Sequence, residues 1–215
     1  IYDGAHAFGV KYKGKGIGNY GDASVFSFHA TKVYNTIEGG AVTFSDHKLY
    51  EKLYNLKNFG IRGEELVTSV GANAKMNEFC AIMGLCNLKH IDEAFKNREE
   101  RYNYYMKELG KAKGIRFFLK REGATNNFAY FPIIVEDDYG ISRDELYDRF
   151  HENNIYSRKY FYPITADQAC FRNKYREDKL DNARDLAQRV MTIPFYENMS
   201  YENMCKVLEV ITAKK

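Results

Sequence analysis

Side chains able to do chemistry crowd the first 32 residues: Asp3, His6, Ser27, His29 and Lys32. They stand in the strings Asp3-Gly-Ala-His6-Ala-Phe-Gly9 and Ser27-Phe-His29-Ala-Thr-Lys32. A lysine in a loop directly after an apolar run is unusual, because buried strands ordinarily hand over to Gly, Asn or Asp. When burial or a neighbouring cation lowers its pKa, a lysine becomes a nucleophile and condenses with carbonyls. The best-known partner is pyridoxal phosphate, whose ring nitrogen needs a carboxylate to stay protonated so that the ring can take up electrons. Asp3 would supply that carboxylate. Ser27 is the kind of small donor that holds a phosphate, and His6 could hydrogen-bond the phenolic oxygen. Spacing alone leaves the plainer alternative open, a solvated Lys32 in a loop.

These residues need elements to position them. Ile1 to Ala5 reads as the end of a strand, followed by Gly-rich turns through Gly21. Ala23 to Phe28 and Ala41 to Phe44 have strand length and composition, with Lys32 and Glu38-Gly39-Gly40 in the loop between them. Leu49, Leu53 and Leu56 then recur at helical spacing over 48–58, and Gly60 stands where a helix C-terminus wants it. Residues 61–72 read as an ordered loop. A long helical stretch follows to about Leu109, with Met76, Phe79, Cys80, Met83 and Leu88 on one face. Further on, 115–119, 127–135 and 155–161 read as strands, and 143–153, 180–190 and 200–213 as helices. Ser200 is the expected N-cap of the last helix. The chain thus divides into a remnant of an α/β layer over 1–105 and a compact α+β unit over 106–215.

Composition narrows the function classes. With 32 Lys+Arg against 29 Asp+Glu, the net charge of +3 is too weak to argue for nucleic acid. A content of 45% apolar and 28% charged residues is that of a globular protein. Phe79 to Leu85, among the most apolar windows, is far too short to span a membrane. Cys80, Cys86, Cys170 and Cys205 show no CxxC pair and read as reduced thiols of a cytoplasmic protein. The histidines at 6, 29, 47, 90 and 151 have no metal-ligand spacing, so a metal site is not expected. The charged run from Arg172 to Lys179 reads first as a solvated face, with a diphosphate-binding stretch as the alternative.

The ordered strings just quoted, together with Gly71-Ala-Asn73-Ala-Lys-Met-Asn-Glu78, resemble the DegT/StrS-type sugar aminotransferases. So do Arg158-Lys-Tyr160-Phe-Tyr-Pro163 and the stretch from Leu180 to Tyr196. That resemblance covers essentially the whole chain. It implies the aspartate-aminotransferase fold, here the C-terminal part of a subunit with a partial large α/β domain and a small α+β domain. It also implies pyridoxal 5'-phosphate as cofactor, with glutamate and a nucleotide-linked keto sugar as substrates. Lys32 matches the lysine that bonds the cofactor and moves the substrate proton. Asp3 matches the carboxylate facing the ring nitrogen, His6 the residue near the phenolic oxygen, and Ser27 a phosphate-binding serine. Asn73 matches an asparagine that reaches the phosphate of the neighbouring subunit, which makes the site a property of a homodimer. His29 either faces substrate or packs in its loop, and Arg158 and Tyr160 are expected substrate contacts.

Members of this family usually carry a Gly-Thr phosphate turn and a stacking aromatic upstream of the point where Ile1 stands. The chain therefore reads as roughly the second half of a subunit. The expectation is that 1–215 alone is inactive, poorly folded in its first third and unable to retain cofactor. The RKYFYP segment (158–163) leans toward amination at C4 rather than C3 of the sugar. Related sugar dehydratases replace the lysine by histidine, so Lys32 argues against them. The remaining alternative is a non-catalytic module or inactive fragment that binds the cofactor without turning over.

Overall fold

A computed structural model of the chain describes residues 1–118, 120–171, 174 and 179–213. Apart from Lys174 and Lys179, the expected solvated run over 172–179 lies outside the described residues. The strands and helices in chain order are β1 (Tyr2–Asp3), β2 (Lys11–Tyr12), β3 (Lys15–Gly16), β4 (Ala23–Ser27), β5 (Gly40–Phe44), α1 (Lys48–Lys57), β6 (Ile61–Gly63), β7 (Leu66–Val67), α2 (Glu78–Leu88), α3 (Ile91–Leu109), β8 (Ile115–Phe117), β9 (Phe131–Val135), α4 (Arg143–Glu152), α5 (Asp181–Arg189), β10 (Val190–Ile193) and α6 (Tyr201–Thr212). The fold is mixed α/β, as the sequence implies. Among the described residues, no helix is long and apolar enough to cross a membrane.

The chain separates into two units, one formed by 1–95 with 121–129 and the other by 96–120 with 130–215. The cut expected after residue 105 falls inside α3. Residues 121–129, expected in the second unit, belong to the first, where Lys13 N–H donates to Gly123 O (2.8 Å) and Thr125 N–H to Lys11 O (2.8 Å).

In the first unit, β1 lies parallel to β4 and β5 lies antiparallel to it, in the order β1-β4-β5. The register sets Asp3 beside Val25 and Ser27 beside Gly40. Parallel pairing brings the carboxyl ends of β1 and β4 to one edge of the sheet, the edge where open α/β sheets collect ligands. The Gly-rich turn before β4 contains a small hairpin, β2 with β3, and the ordered loop over 61–72 contains another, β6 with β7.

The single long helix expected to about Leu109 is two helices, α2 and α3, broken at Lys89 and His90. Asn77 caps α2, accepting from Cys80 N–H at 2.9 Å. Of the expected apolar face, Cys80 packs and the other four residues do not. Phe79 is 84% exposed, and Met76, Met83 and Leu88 are exposed as well, while Cys80 and Gly84 are buried.

The second unit is built on an antiparallel sheet in the order β10-β9-β8, with β9 central. Its core gathers Tyr105 and Leu109 from α3, Phe131 and Ile133 from β9, Leu146 and Phe150 from α4, Met191 and Ile193 from β10, and Met204, Val207 and Ile211 from α6. Two expected strands differ here. The strand expected over 127–135 begins only at Phe131. The strand expected over 155–161 is a single bridge, Arg158 to Thr192, and the third strand is instead Val190–Ile193. Ser142 and Glu145 form a full capping box at the start of α4, and Ser200 caps α6 by accepting from Asn203 N–H.

Candidate functional site

The loop from Phe28 to Gly39, which carries Lys32, is fixed from several directions. Phe28 N–H donates to Gly39 O (2.8 Å), and Thr36 N–H donates to Phe28 O (2.9 Å). The buried Thr36 hydroxyl donates to Glu38 O at 2.7 Å. Ile37 between them takes φ +66°, a conformation a β-branched residue adopts only where its surroundings over-determine it. Helix α2 buttresses the loop: the Asn87 amide donates to Asn35 O (2.9 Å), and Gly84 lets the helix approach Thr36 and Tyr34 closely.

An aromatic cluster ties this loop to the His6 segment. Tyr34 stacks on Phe8 at 4.2 Å, and Phe28 meets both rings edge-on, at 4.8 Å from Tyr34 and 5.8 Å from Phe8. The buried Asn127 amide then clamps the segment from below, donating to His6 O (2.8 Å) and Phe8 O (2.9 Å). Sequence reasoning missed Phe8, Tyr34, Thr36, Asn87 and Asn127 as supports. Asn127 bonds backbone about 120 residues away, a link that leaves no periodic signal.

Three expected site residues come together at this edge. Burial lowers the pKa of His6, the Lys32 charge lowers it further, and Asp3 pulls it back upward. Both charged groups are therefore within electrostatic reach of the His6 ring, and the net effect favours its neutral form. Asp3 anchors its own turn by accepting from Ala5 N–H at 2.9 Å, and Gly4 N–H continues the parallel pairing to Val25 O. Lys32 is half-buried, in a turn closed by its own N–H on His29 O (2.9 Å).

Ser27 ends β4 at the same edge and accepts from His29 N–H at 3.4 Å, which keeps its own O–H as a donor. His29 turns onto its own loop. Its Nδ1 accepts from Thr31 N–H (3.3 Å) and bonds the Thr31 hydroxyl (2.9 Å), while its Nε2 lies 3.6 Å from the Glu38 carboxylate.

Asn73, Arg158 and Tyr160 are each held by contacts of their own. Asn73 is exposed on a segment strapped to the end of α1, where Ala72 N–H donates to Leu56 O, Ala74 N–H to Lys57 O, and Phe59 N–H to Ala72 O. Gly60 holds the crossing of that strap at φ +72°, and a Cβ there would sit 1.7 Å from Ser69 O.

Arg158 and Tyr160 belong to the second unit. The Arg158 backbone pairs with Thr192, and its guanidinium lies 5.9 Å from the Tyr160 ring. Tyr160 packs on Tyr130 at 5.0 Å. Burial pushes its phenol well above the ordinary tyrosine range, and a hydrogen bond with Tyr130 adds to that.

A carboxylate, a primary amine, a neutral imidazole and a hydroxyl at one sheet edge are the donor set that a pyridine aldehyde phosphate requires. The side chains present fit that group.

The chain is 38% identical over 213 residues to a dTDP-4-amino-4,6-dideoxy-D-glucose transaminase of Shigella dysenteriae, covering 99% of this chain and 57% of that one. It is 28% identical to a UDP-4-amino-4,6-dideoxy-N-acetyl-beta-L-altrosamine transaminase of Campylobacter jejuni, over 94% of this chain and 55% of that one. Among solved structures, DesI in the presence of its TDP-sugar product superposes with a TM-score of 0.90 at 30% identity, over 97% of this chain and 53% of that one. The chain thus spans a little over half the length of the curated relatives it matches. The model of the DegT/DnrJ/EryC1/StrS aminotransferase family matches residues 1–212, and the chain belongs to that family.

Proposed function

We propose that the protein containing this chain is a pyridoxal-phosphate-dependent aminotransferase that moves an amino group from glutamate to a nucleotide-linked keto-deoxy sugar, at C4. The observation that carries the reading is the meeting of Asp3, His6 and Lys32 at the carboxyl edge of β1 and β4. The 4-amino sugars named for the Shigella and Campylobacter relatives support the position of amination.

When bound, pyridoxal phosphate supplies an aldehyde that amines condense with and a ring that takes up electrons. Asp3 holds a proton at the ring nitrogen by opposite charge. The Lys32 amine takes a proton from the substrate carbon and returns it, and its turn fixes where that amine starts. Neutral His6 hydrogen-bonds the phenolic oxygen, its lowered pKa suiting a neutral partner. Ser27 donates to the phosphate. Asn73, exposed on its strap, serves the phosphate of a neighbouring subunit in a homodimer. Arg158 and Tyr160 contact the nucleotide sugar. His29, held by Thr31 and Glu38, borders the sugar side of the loop.

The test is turnover of dTDP-4-keto-6-deoxyglucose with glutamate by the full-length protein, followed by borohydride reduction and mass mapping. The pyridoxyl tag is expected on Lys32, and Lys32→Ala should lose several orders of magnitude in rate while still binding cofactor. A tag on any other lysine overturns the assignment.

A further inference from the structure

Within the second unit, the segment carrying Arg158 and Tyr160 has little regular structure of its own. Its backbone is held by the Arg158–Thr192 pair and by Tyr162 N–H donating to Lys159 O at 3.1 Å. Something else must fix the stretch between them.

The first turn of α4 provides it. Arg143 is buried, and its Nη1 donates to Ala187 O (2.9 Å) and Val190 O (2.6 Å), so its guanidinium is locked to the end of α5 and the start of β10. From that fixed position its Nε donates to Asp144 Oδ1 at 2.7 Å. The same oxygen receives Lys159 Nζ at 2.7 Å. The Lys159 ammonium also sits 4.6 Å from the Tyr147 ring, and the Arg143 guanidinium lies 5.0 Å from the Tyr162 ring. One carboxylate oxygen thus joins a guanidinium that cannot move to the lysine standing between Arg158 and Tyr160.

We infer that Asp144 is a positioning residue, which through Lys159 sets where Arg158 and Tyr160 present themselves to the nucleotide sugar. This rests on the reading of those two residues given under Proposed function. An ordinary surface ion pair is worth little, because two flexible chains must be ordered to make it. Here Asp144 is held by a guanidinium that backbone carbonyls have already ordered, so forming the pair gives up less freedom. The state of the carboxylate agrees. Burial by itself would raise its pKa, but the hydrogen bonds and charges of Lys159 and Arg143 outweigh that and hold it below the ordinary value.

The experiment uses the full-length, cofactor-loaded protein and compares Asp144→Asn, Lys159→Met, their double variant, Lys159→Arg and Arg158→Gln. Two readouts are taken: steady-state kinetics with dTDP-4-keto-6-deoxyglucose and glutamate, and hydrogen exchange at the Tyr162 amide. Asp144→Asn and Lys159→Met should each raise the KM for the nucleotide sugar roughly three- to tenfold, leaving kcat and the KM for glutamate near wild type. The double variant should be no worse than either single one, and Lys159→Arg should restore the wild-type value. Exchange at Tyr162 should quicken in both single variants and recover in Lys159→Arg.

Unchanged exchange and KM overturn the inference, as does additivity in the double variant. Faster exchange with an unchanged KM overturns it too, provided Arg158→Gln does raise KM. If Arg158→Gln leaves KM unchanged, the reading of Arg158 as a substrate contact fails instead. Exchange at Tyr162 then decides whether Asp144 positions the segment. Should Asp144→Asn fold poorly, Lys159→Met carries the same readouts from the other end of the pair.

Discussion

Gly84→Ala tests how rigidly α2 holds the loop that carries Lys32. A Cβ at Gly84 would lie 2.7 Å from Thr36 Cγ2 and 2.8 Å from the Tyr34 hydroxyl oxygen. Neither neighbour can readily retreat. Thr36 is 1% exposed and bonded to Glu38 O, and Tyr34 is 6% exposed and stacked on Phe8. Two terms then compete. Replacing a helical glycine by alanine gains about 1 kcal/mol in helix propensity. Overpacking a close contact costs about 1–3 kcal/mol. The balance is a loss of up to about 2 kcal/mol, where an unconstrained helix would have gained. The strain falls on Tyr34 and Thr36, so activity should drop further than stability does. Thermal unfolding and kcat/KM of the full-length protein measure the two effects. Thr36→Ser removes the clashing methyl and keeps the hydroxyl bond to Glu38, so adding it to Gly84→Ala should recover part of both. A Gly84→Ala protein that melts higher with unchanged kcat/KM would refute the idea that α2 holds the Lys32 loop by contact.

Asp3→Asn keeps the size of the side chain and removes its charge. It should slow the proton-transfer step strongly and shift the cofactor absorbance, and near-normal turnover with an unchanged spectrum would count against Asp3 as the ring-nitrogen partner. His6 has a folded-state pKa below its ordinary 6.5, through burial first and the Lys32 charge second, with Asp3 opposing. Its contribution to stability is therefore complete above that value and is lost as pH falls below it. Melting temperature followed from neutral pH downward should show this decline, and His6→Gln should flatten it. Asn127→Ala strips donors from two carbonyls, His6 O and Phe8 O, and should cost about 1–3 kcal/mol, read as an earlier thermal transition.

The legible parts of the chain were those where sequence and contact are local. β4 and the lysine loop after it read as an apolar run followed by a charged loop, α1 reads from its 3.6-residue spacing, and α4, α5 and α6 lie within the helices expected over 143–153, 180–190 and 200–213. Helix α2 shows where that method stops. Phe79, Ala81, Ile82, Met83, Leu85 and Leu88 surround it with apolar side chains, so periodicity cannot say which side packs. The structure packs the narrow side, Cys80 and Gly84, because close approach to Thr36 and Tyr34 needs small residues. β10 was hidden for a different reason. Its four buried residues follow α5 without a gap, and a run that short between a helix and a proline carries no alternation of its own. Asn127-Phe128-Ala129-Tyr130 reads as strand, but Phe128 takes φ +51° and the Phe128 and Ala129 N–H groups donate to the Asn126 and Asn127 side chains.

The site itself is assembled by backbone register more than by side-chain packing. Asp3 sits on a strand of only two residues, and side chains alternate faces along a strand, so a slip of one residue against β4 would turn its carboxylate away from His6 and Lys32. So short a pairing cannot hold its own register. Three contacts beyond it do so: Gly4 N–H on Val25 O, the Asp3 carboxylate on Ala5 N–H, and the Asn127 amide on His6 O and Phe8 O. On the other side of the site, Ser27 and Lys32 take their places from the five-residue pairing of β4 with β5 and from the Phe28–Gly39 bond that closes the loop. The Phe8, Phe28 and Tyr34 rings then connect the two sides. In the proposed site, this lets residues 21 to 29 positions apart in the sequence act on one group. Asp3 and Lys32 need not touch, because each is fixed to a strand end that the parallel pairing has already placed beside the other.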